Sequence, residues 1–138
     1  MLSTAQADLL TESFARIRAS SADYSTLFYH RLFLRHPFVR SLFPDDLTPQ
    51  VTIFHATIDA LVAGVHDLPS QHATLSEMGR RHVRYGVKAA HYAMVGEVLI
   101  DTLAELSGAA FTRRTRVAWE TLYAEVARVM IDAADSDG

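Results

Sequence analysis

The stretch GRRHVRYG, residues 79–86, is typical of the end of an amphipathic helix. Leu75, Met78, Gly79 and His82 recur at i, i+3, i+4 and i+7, so they share one helix face. His82 therefore points inward from an apolar stripe, where Gly79 leaves room beside it for something bulky. A buried imidazole needs partners for its ring nitrogens. That partner is most often another side chain in the core, but a metal ion or the iron of a flat organic cofactor also satisfies the pattern.

The bulk composition indicates one globular domain that spans residues 1–138. The chain is 49% hydrophobic and 21% charged, with a net charge of -3 that is spread along its length. This balance argues against nucleic acid or an anionic membrane as a partner. The chain has no cysteine, which excludes disulfides, iron–sulfur clusters and thiolate chemistry. Because no signal peptide and no apolar run of about twenty residues is present, we expect a cytoplasmic protein without a membrane partner.

Helix start and stop signals divide the chain into helical segments. Start signals lie at Ser3 with Gln6, at Ser20-Ser21 before a helix near Ala22, at Pro37, at Thr48-Pro49 and at Thr112. Stop signals lie at Asp67-Leu68-Pro69-Ser70, at Gly86 and at Ser107-Gly108. No stretch shows the alternation of apolar and polar residues that is typical of strands. The sequence therefore predicts an all-α domain of six long helices plus one short helix from Phe38 to Phe43, with a disordered tail over residues 135–138.

From Leu9 to Met130 the chain resembles the bacterial single-domain globins and the haem domain of flavohaemoglobins. The motifs that carry the resemblance are Leu27-Phe28-Tyr29, Phe43 after Pro37, Gln50, Asp67-Leu68-Pro69, Gly79 through His82, Tyr92 through Glu97, and Trp119 with Tyr123. They occur in the family's order and spacing over nearly the full length. The resemblance implies a globin fold around a haem pocket, with haem b as the cofactor.

The resemblance also assigns roles to individual residues. It implies that His82 is the proximal ligand of the haem iron, and that Tyr29 and Gln50 are the distal polar pair. Hydrogen-bond donors at these positions stabilise O2, which carries partial negative charge on iron, more than they stabilise CO. The implied walls of the pocket are Phe43, Phe54, Ile58, Met78, Tyr92, Val95 and Leu99, and Tyr92 is expected to hydrogen-bond near His82. Arg81 is a candidate for the haem propionates, as are Arg80 and Arg84.

From the residues alone, each of these assignments has an ordinary alternative. Tyr29 fits a helix tyrosine with its hydroxyl at the surface, and Gln50 fits a solvated residue in a first turn. Phe43 fits a plain core residue, and the arginines fit a solvated helix face.

The sequence departs from the family pattern at two positions. Phe54 stands where a leucine is expected, and its bulk is expected to crowd the distal pocket. Ala134 stands where flavohaemoglobins carry a glutamate that acts on the proximal histidine. Without that carboxylate, His82 is expected to have less imidazolate character, which weakens the case for flavohaemoglobin-like or peroxidase-like turnover.

The resemblance implies a protein that binds O2, NO or CO and that oxidises NO to nitrate when a reductase supplies electrons. The reductase would be a separate partner, because no glycine-rich dinucleotide loop is present in this sequence. Two alternatives remain at this stage: a haem-free globin-fold protein with a signalling or structural role, and a gas-sensing module.

Overall fold

The computed structural model describes residues 2–20 and 23–137 and contains only helices over those ranges. Six α-helices are present: α1 (Thr4–Ala19), α2 (Tyr24–Arg35), α3 (Thr48–Ala63), α4 (His72–Arg84), α5 (Ala89–Ser107) and α6 (Arg113–Asp137). Three 3-10 segments join them: Pro37–Leu42, Val65–Gln71 and Gly108–Ala110. The prediction of an all-α fold is confirmed, with six long helices and the short one after Pro37. The sequence did not predict the other two 3-10 segments, Val65–Gln71 and Gly108–Ala110.

The start of α1 and the start of α6 agree with the sequence signals. Ser3 and Gln6 form a reciprocal capping box, in which each side chain accepts from the other residue's backbone N–H. At α6 the Thr112 hydroxyl accepts from the backbone N–H of Thr115 at 3.2 Å. Both side chains satisfy a donor that a helix end leaves without an internal partner.

Two other capping predictions are wrong. The cap of α2 is Asp23, whose carboxylate accepts from the backbone N–H of Thr26 at 3.2 Å. Ser20 instead closes α1, because its hydroxyl donates to the carbonyl of Ile17; Ser21 and Ala22 lie outside the described residues. Thr48 is already the first residue of α3, and its side chain makes no capping bond. Its own backbone N–H donates instead to the Asp46 carboxylate at 3.1 Å.

The helix ends are set mainly by glycine. Gly86 and Gly108 follow α4 and α5 with φ values of 86° and 58°, which confirms both stop signals. α3 ends before Gly64, earlier than predicted, and Asp67 breaks the following 3-10 segment at φ -139° and ψ 61°. α6 continues to Asp137 because no glycine or proline interrupts it, so the backbone of 135–137 is helical where we expected disorder. Gly138 lies outside the described residues.

The helix α6 organises the core, because α1, α4 and α5 all pack against it. The Trp119 indole on α6 is 3% exposed and donates to the Ser13 hydroxyl on α1 at 3.1 Å. α2 packs instead on α5 and α3. Consequently α3 and α4 are held by different neighbours and are not closely paired with each other.

α4 and α6 approach each other at Gly79. A Cβ atom on Gly79 would lie 2.2 Å from the carbonyl oxygen of Met130. The expectation that Gly79 leaves room for a bulky neighbour is correct, but the neighbour is the backbone of α6. Gly79 therefore fixes the height at which α4, and His82 with it, sits over the core.

Within the described residues, no single helix is both long enough and apolar enough to cross a bilayer. Among the same residues, Thr48–Ala63 and Val65–Arg84 taken together are long and apolar enough, but the two parts are bent by 110° relative to each other.

Candidate functional site

The imidazole of His82 has one nitrogen bonded to the backbone and one nitrogen without a partner. Nδ1 lies 2.6 Å from the carbonyl oxygen of Met78, one turn earlier in α4. A carbonyl can only accept, so Nδ1 must carry the proton. In the neutral ring Nε2 then has a free lone pair, and it makes no hydrogen bond or ion pair with any described residue. Such a nitrogen is a ready metal ligand.

Burial keeps this ring neutral. Desolvation lowers the pKa of His82 below its ordinary 6.5, and the positive charge of Arg81 lowers it further. The bond to the Met78 carbonyl raises the pKa, but by less than burial lowers it. At neutral pH the Nε2 lone pair is therefore available for a metal and is not occupied by a proton.

Tyr92 and Tyr85 stand beside His82, with ring centroids 6.3 and 6.0 Å from the imidazole. Tyr92 was predicted here from the resemblance, but its hydroxyl makes no hydrogen bond to His82. Instead its carbonyl oxygen accepts from the Tyr123 hydroxyl at 2.6 Å. This bond fixes the start of α5 against α6.

The position of Tyr123 depends on Gly96, because a Cβ there would lie 2.4 Å from the tyrosine ring. Sequence reasoning missed this support. A glycine inside an otherwise well-formed helix was the available signal, since it indicates that another group approaches the backbone closely.

The Tyr29 side chain on α2 lies inside a cluster of aromatic rings. It is 7% exposed, with Phe28, Phe43, Phe54 and Phe33 at centroid distances of 5.0, 5.6, 5.6 and 6.0 Å. Its hydroxyl makes no hydrogen bond within the described part of the chain. Burial raises the pKa of Tyr29 to about 12, so the hydroxyl remains a donor at neutral pH. The structure thus brings together three predicted site residues, Tyr29, Phe43 and Phe54.

The ring of Phe54 stacks on Phe28, with centroids 4.6 Å apart and planes 6° from parallel. Phe28 therefore holds Phe54 in a fixed orientation beside Tyr29. Sequence reasoning used Phe28 only as part of a motif and missed this role. The expectation that the bulk of Phe54 crowds the pocket stays a prediction.

Arg40 holds the loop that carries Phe43, which the sequence did not indicate. Its guanidinium donates to the carbonyl oxygens of Phe43, Pro44 and Asp45 at 3.3, 2.9 and 3.0 Å. The same group lies 5.2 Å from the centroid of Phe33. Arg40 thus places Phe43 against Tyr29 by fixing the backbone that follows the first 3-10 segment.

Two predicted polar residues are not joined to either cluster. Gln50 lies in the first turn of α3, partly buried, one turn before Phe54, and makes no side-chain hydrogen bond with a described residue. Arg81 is exposed and forms no ion pair with a described residue, although its charge acts on His82. Their proposed roles toward a cofactor stay predictions.

A cleft of about 290 Å³ separates α3 from α4. Met78 and Leu75 line it from α4, and Ile53, Thr57 and Leu61 line it from α3. Of the other predicted wall residues, Ile58 and Leu99 are buried in the core, and Val95 is half-buried against it. The described residues contain no group of three metal-ligating side chains. His82 is not part of such a group, so a metal bound by its imidazole would have to bring most of its other ligands.

Comparison with known proteins identifies the class to which this fold belongs. The family model for globins matches residues 26–130. Over 94% of the chain, the neuroglobins of Dissostichus mawsoni and Danio rerio are 31% and 29% identical, and 90% of each relative is covered. A flavohemoprotein of Vibrio cholerae is 26% identical over 96% of the chain, which spans only 34% of that longer protein.

Solved structures agree with this classification. An engineered carbene transferase from Rhodothermus marinus, whose description suggests a nitric oxide dioxygenase, superposes with a TM-score of 0.87 and 26% identity, covering 99% of this chain and 95% of that chain. A bacterial globin from Campylobacter jejuni has a similar fold, with a TM-score of 0.82, 22% identity and 97% coverage of both chains. The chain belongs to the globin family. The resemblance predicted from sequence and the globin fold are confirmed.

Proposed function

We propose that this globin binds haem through Nε2 of His82 and takes up a small gas on the side of Tyr29. One observation carries the proposal: Nδ1 of a half-buried neutral imidazole donates to the Met78 carbonyl at 2.6 Å, which leaves the lone pair of Nε2 free. Membership of the globin family supports it, since globins bind haem. We propose haem b as the form bound.

The residues present fit such a group. A single imidazole holds a free divalent ion weakly, but the macrocycle of haem supplies the in-plane ligands itself. The cleft between α3 and α4 has apolar walls in Leu61, Leu75 and Met78, which suit a flat hydrocarbon ring. Arg81 is exposed on α4 next to His82, and we propose that it binds a propionate.

When bound, haem supplies an iron centre that takes diatomic gases such as O2, NO and CO. The residues of this chain then select among them. We propose that the Tyr29 hydroxyl donates a hydrogen bond to the gas, with Gln50 as a second donor. Phe28, Phe43 and Phe54 pack around the Tyr29 ring, which is 7% exposed, and so limit the access of water to this side chain.

The first test is spectroscopic. The purified chain supplied with haem should show a Soret band, and His82→Gly should lose it. Imidazole added in solution should restore the band in this variant, because it replaces the missing ligand without rebuilding the helix. His30→Ala is the matched control, as His30 is exposed. A wild-type chain without a Soret band would instead support a haem-free signalling or structural role. An unchanged spectrum in His82→Gly would overturn the assignment of the ligand.

A second test separates the distal donors from the haem ligand. Tyr29→Phe should speed O2 dissociation by about tenfold or more, because a hydrogen bond to a charged acceptor contributes roughly 1.5–3 kcal/mol. CO dissociation should change little, since CO carries little negative charge. Gln50→Leu should show the same selectivity with a smaller effect. Equal changes for O2 and CO would indicate a change of access and not the loss of a donor.

We further propose that the gas chemistry includes oxidation of NO to nitrate. The likeness to the Rhodothermus marinus protein supports this finer proposal. The reaction balances as NO plus O2 plus one electron giving nitrate, so repeated turnover needs a reductase that supplies this electron. The reduced protein equilibrated with O2 should yield one nitrate per chain when mixed with NO. Absence of nitrate would leave gas storage or sensing as the function.

A further inference from the structure

The outer face of α6 carries a stripe whose charge pattern is inverted about its centre. Ala124 is exposed at the middle of the helix. Steps of three or four residues in both directions stay on its side of the helix, since each residue turns by about 100°. The stripe reached in this way comprises Arg113, Val117, Glu120, Arg128, Ile131 and Asp135, all exposed or half-exposed.

Residues that lie equally far from Ala124 along the sequence form pairs of opposite charge or of shared apolar character. Arg113 corresponds to Asp135, and Glu120 corresponds to Arg128, so each charge has an opposite charge at the mirrored position. The remaining pair, Val117 and Ile131, is apolar at both positions. Val117 is 44% exposed, and Ile131 is half-exposed, whereas Trp119, Leu122, Val126, Val129 and Met130 on the same helix are buried.

From this inversion we infer that the outer face of α6 binds the same face of a second copy of this chain. A two-fold axis through Ala124 runs the two helices antiparallel and places each residue opposite its mirrored position. Arg113 then meets Asp135 of the second copy, and Glu120 meets Arg128. A parallel arrangement would place like charges opposite each other, so the pattern selects one orientation.

The neighbouring groove gives the second helix room to approach. A groove of about 460 Å³ runs between α5 and α6, and its lining includes Ala93, Gly96, Ala124 and Ala127. Ile131 also lines it, so Val117 of the second copy reaches the groove at an apolar position. Small side chains permit close contact between helices near the axis, and Val117 and Ile131 provide apolar contacts on either side of it.

The charged residues of the stripe are available for this contact. The Arg128 guanidinium donates to the Glu125 carboxylate at 2.5 and 3.4 Å and to Asp132 at 3.3 Å on its own helix, and its side chain is still 56% exposed. A guanidinium has five donors, so these three bonds leave two for Glu120 of the second copy. The inference concerns assembly alone and does not rest on haem binding.

Sedimentation velocity on the haem-supplied full chain at micromolar concentration tests the inference. We expect a species of twice the 15.3 kDa chain mass. Glu120→Arg and Arg128→Glu should each weaken self-association by about tenfold or more, because each creates two repulsive pairs across the symmetric interface. Glu12→Arg makes the same charge change on an exposed residue of α1 and should leave the dimer intact.

Mixing the two variants gives the decisive result. In a heterodimer the introduced arginine meets the introduced glutamate, and the original Arg128 meets the original Glu120, so association should return to the wild-type level. A loss of helix structure in either variant would not be repaired by mixing. A monomeric wild type, a dimer that ignores both substitutions, or a mixture that stays monomeric would overturn the inference.

Discussion

Replacement of Gly79 by alanine tests whether the seat of α4 on α6 positions the proximal histidine. The added Cβ would lie 2.2 Å from the carbonyl oxygen of Met130 and 2.7 Å from its carbonyl carbon and Cα. All three atoms belong to a helix backbone, which cannot rotate away as a side chain can. α4 and α6 must therefore separate by on the order of 1 Å to restore ordinary contact.

Two opposing effects decide how much Gly79→Ala changes the free energy of unfolding. Overpacking costs roughly 1–3 kcal/mol, and contact with rigid backbone places this site at the upper end. Alanine in a helix interior regains about 0.5–1 kcal/mol relative to glycine. The net expectation is a loss of about 2 kcal/mol in the free energy of unfolding, which corresponds to a drop in Tm of roughly 6 °C for a domain of this size.

Urea and thermal unfolding of the haem-free chain measure this loss, and the haem-bound chain measures its effect on the site. Because His82 lies on the same helix as Gly79, we expect a weakened affinity for haem as well as lower stability. Gly64→Ala is the matched control, since the atom nearest its added Cβ is the flexible side-chain end of Gln71. A Gly79→Ala variant as stable as the wild type would refute the claim that backbone contact sets the position of α4.

Three further outcomes follow from contacts in the core. Gly96→Ala should displace the Tyr123 ring, break its bond to the Tyr92 carbonyl and lower the unfolding free energy by roughly 1–3 kcal/mol, which urea titration measures. Ser13→Ala should cost about 1–3 kcal/mol by the same assay, because the buried Trp119 N–H loses its acceptor, whereas the exposed Ser41→Ala should be near neutral. In the haem-free chain, the Tyr29 hydroxyl loses its proton at lower pH in the unfolded state than in the folded state, because folding raises its pKa from 10.0 to about 12. Stability should therefore fall as pH rises from 10 to 12, and Tyr29→Phe should lose less over that window; an equal loss in both proteins would contradict the burial of that hydroxyl.

The sequence predicted the elements of this fold well because its signals are local. Apolar spacing and the stops at Gly86 and Gly108 depend only on residues within one helix, and both stops hold in the structure. Caps were less predictable, since Asp23 competes with nearby serines for the same backbone donors and sequence alone does not rank them. The sequence also could not show which group excludes a side chain at Gly79, because the excluding atoms belong to Met130, which is far along the chain.

The candidate site was likewise predictable only where its features depend on the residue types within one helix. His82 was visible from the spacing on one helix, but the Met78 carbonyl that sets its tautomer is a backbone atom and leaves no trace in the residue types. Arg40 was not singled out from the sequence, and in the structure it binds three carbonyls around Phe43. That role depends on how the backbone turns after Phe43, which the residue types alone do not specify.

Two polar atoms at this site lack the partners that a protein interior normally provides. Nε2 of His82 has a lone pair and no donor among the described residues, and the Tyr29 hydroxyl is a donor with no acceptor there. Neither atom is fully enclosed, because the fully buried side-chain atoms without a partner among the described residues are Ser25 Oγ, Asp59 Oδ1 and Ser107 Oγ. Water therefore reaches both atoms, and each unmade bond costs less than the roughly 1–3 kcal/mol of a fully buried group. An apolar side chain of similar shape would still avoid that smaller cost, so packing alone gives no reason for an imidazole and a phenol at these places. A ligand that offers a metal to one and negative charge to the other would account for both, and haem with a bound gas, which we propose for this site, has that chemistry.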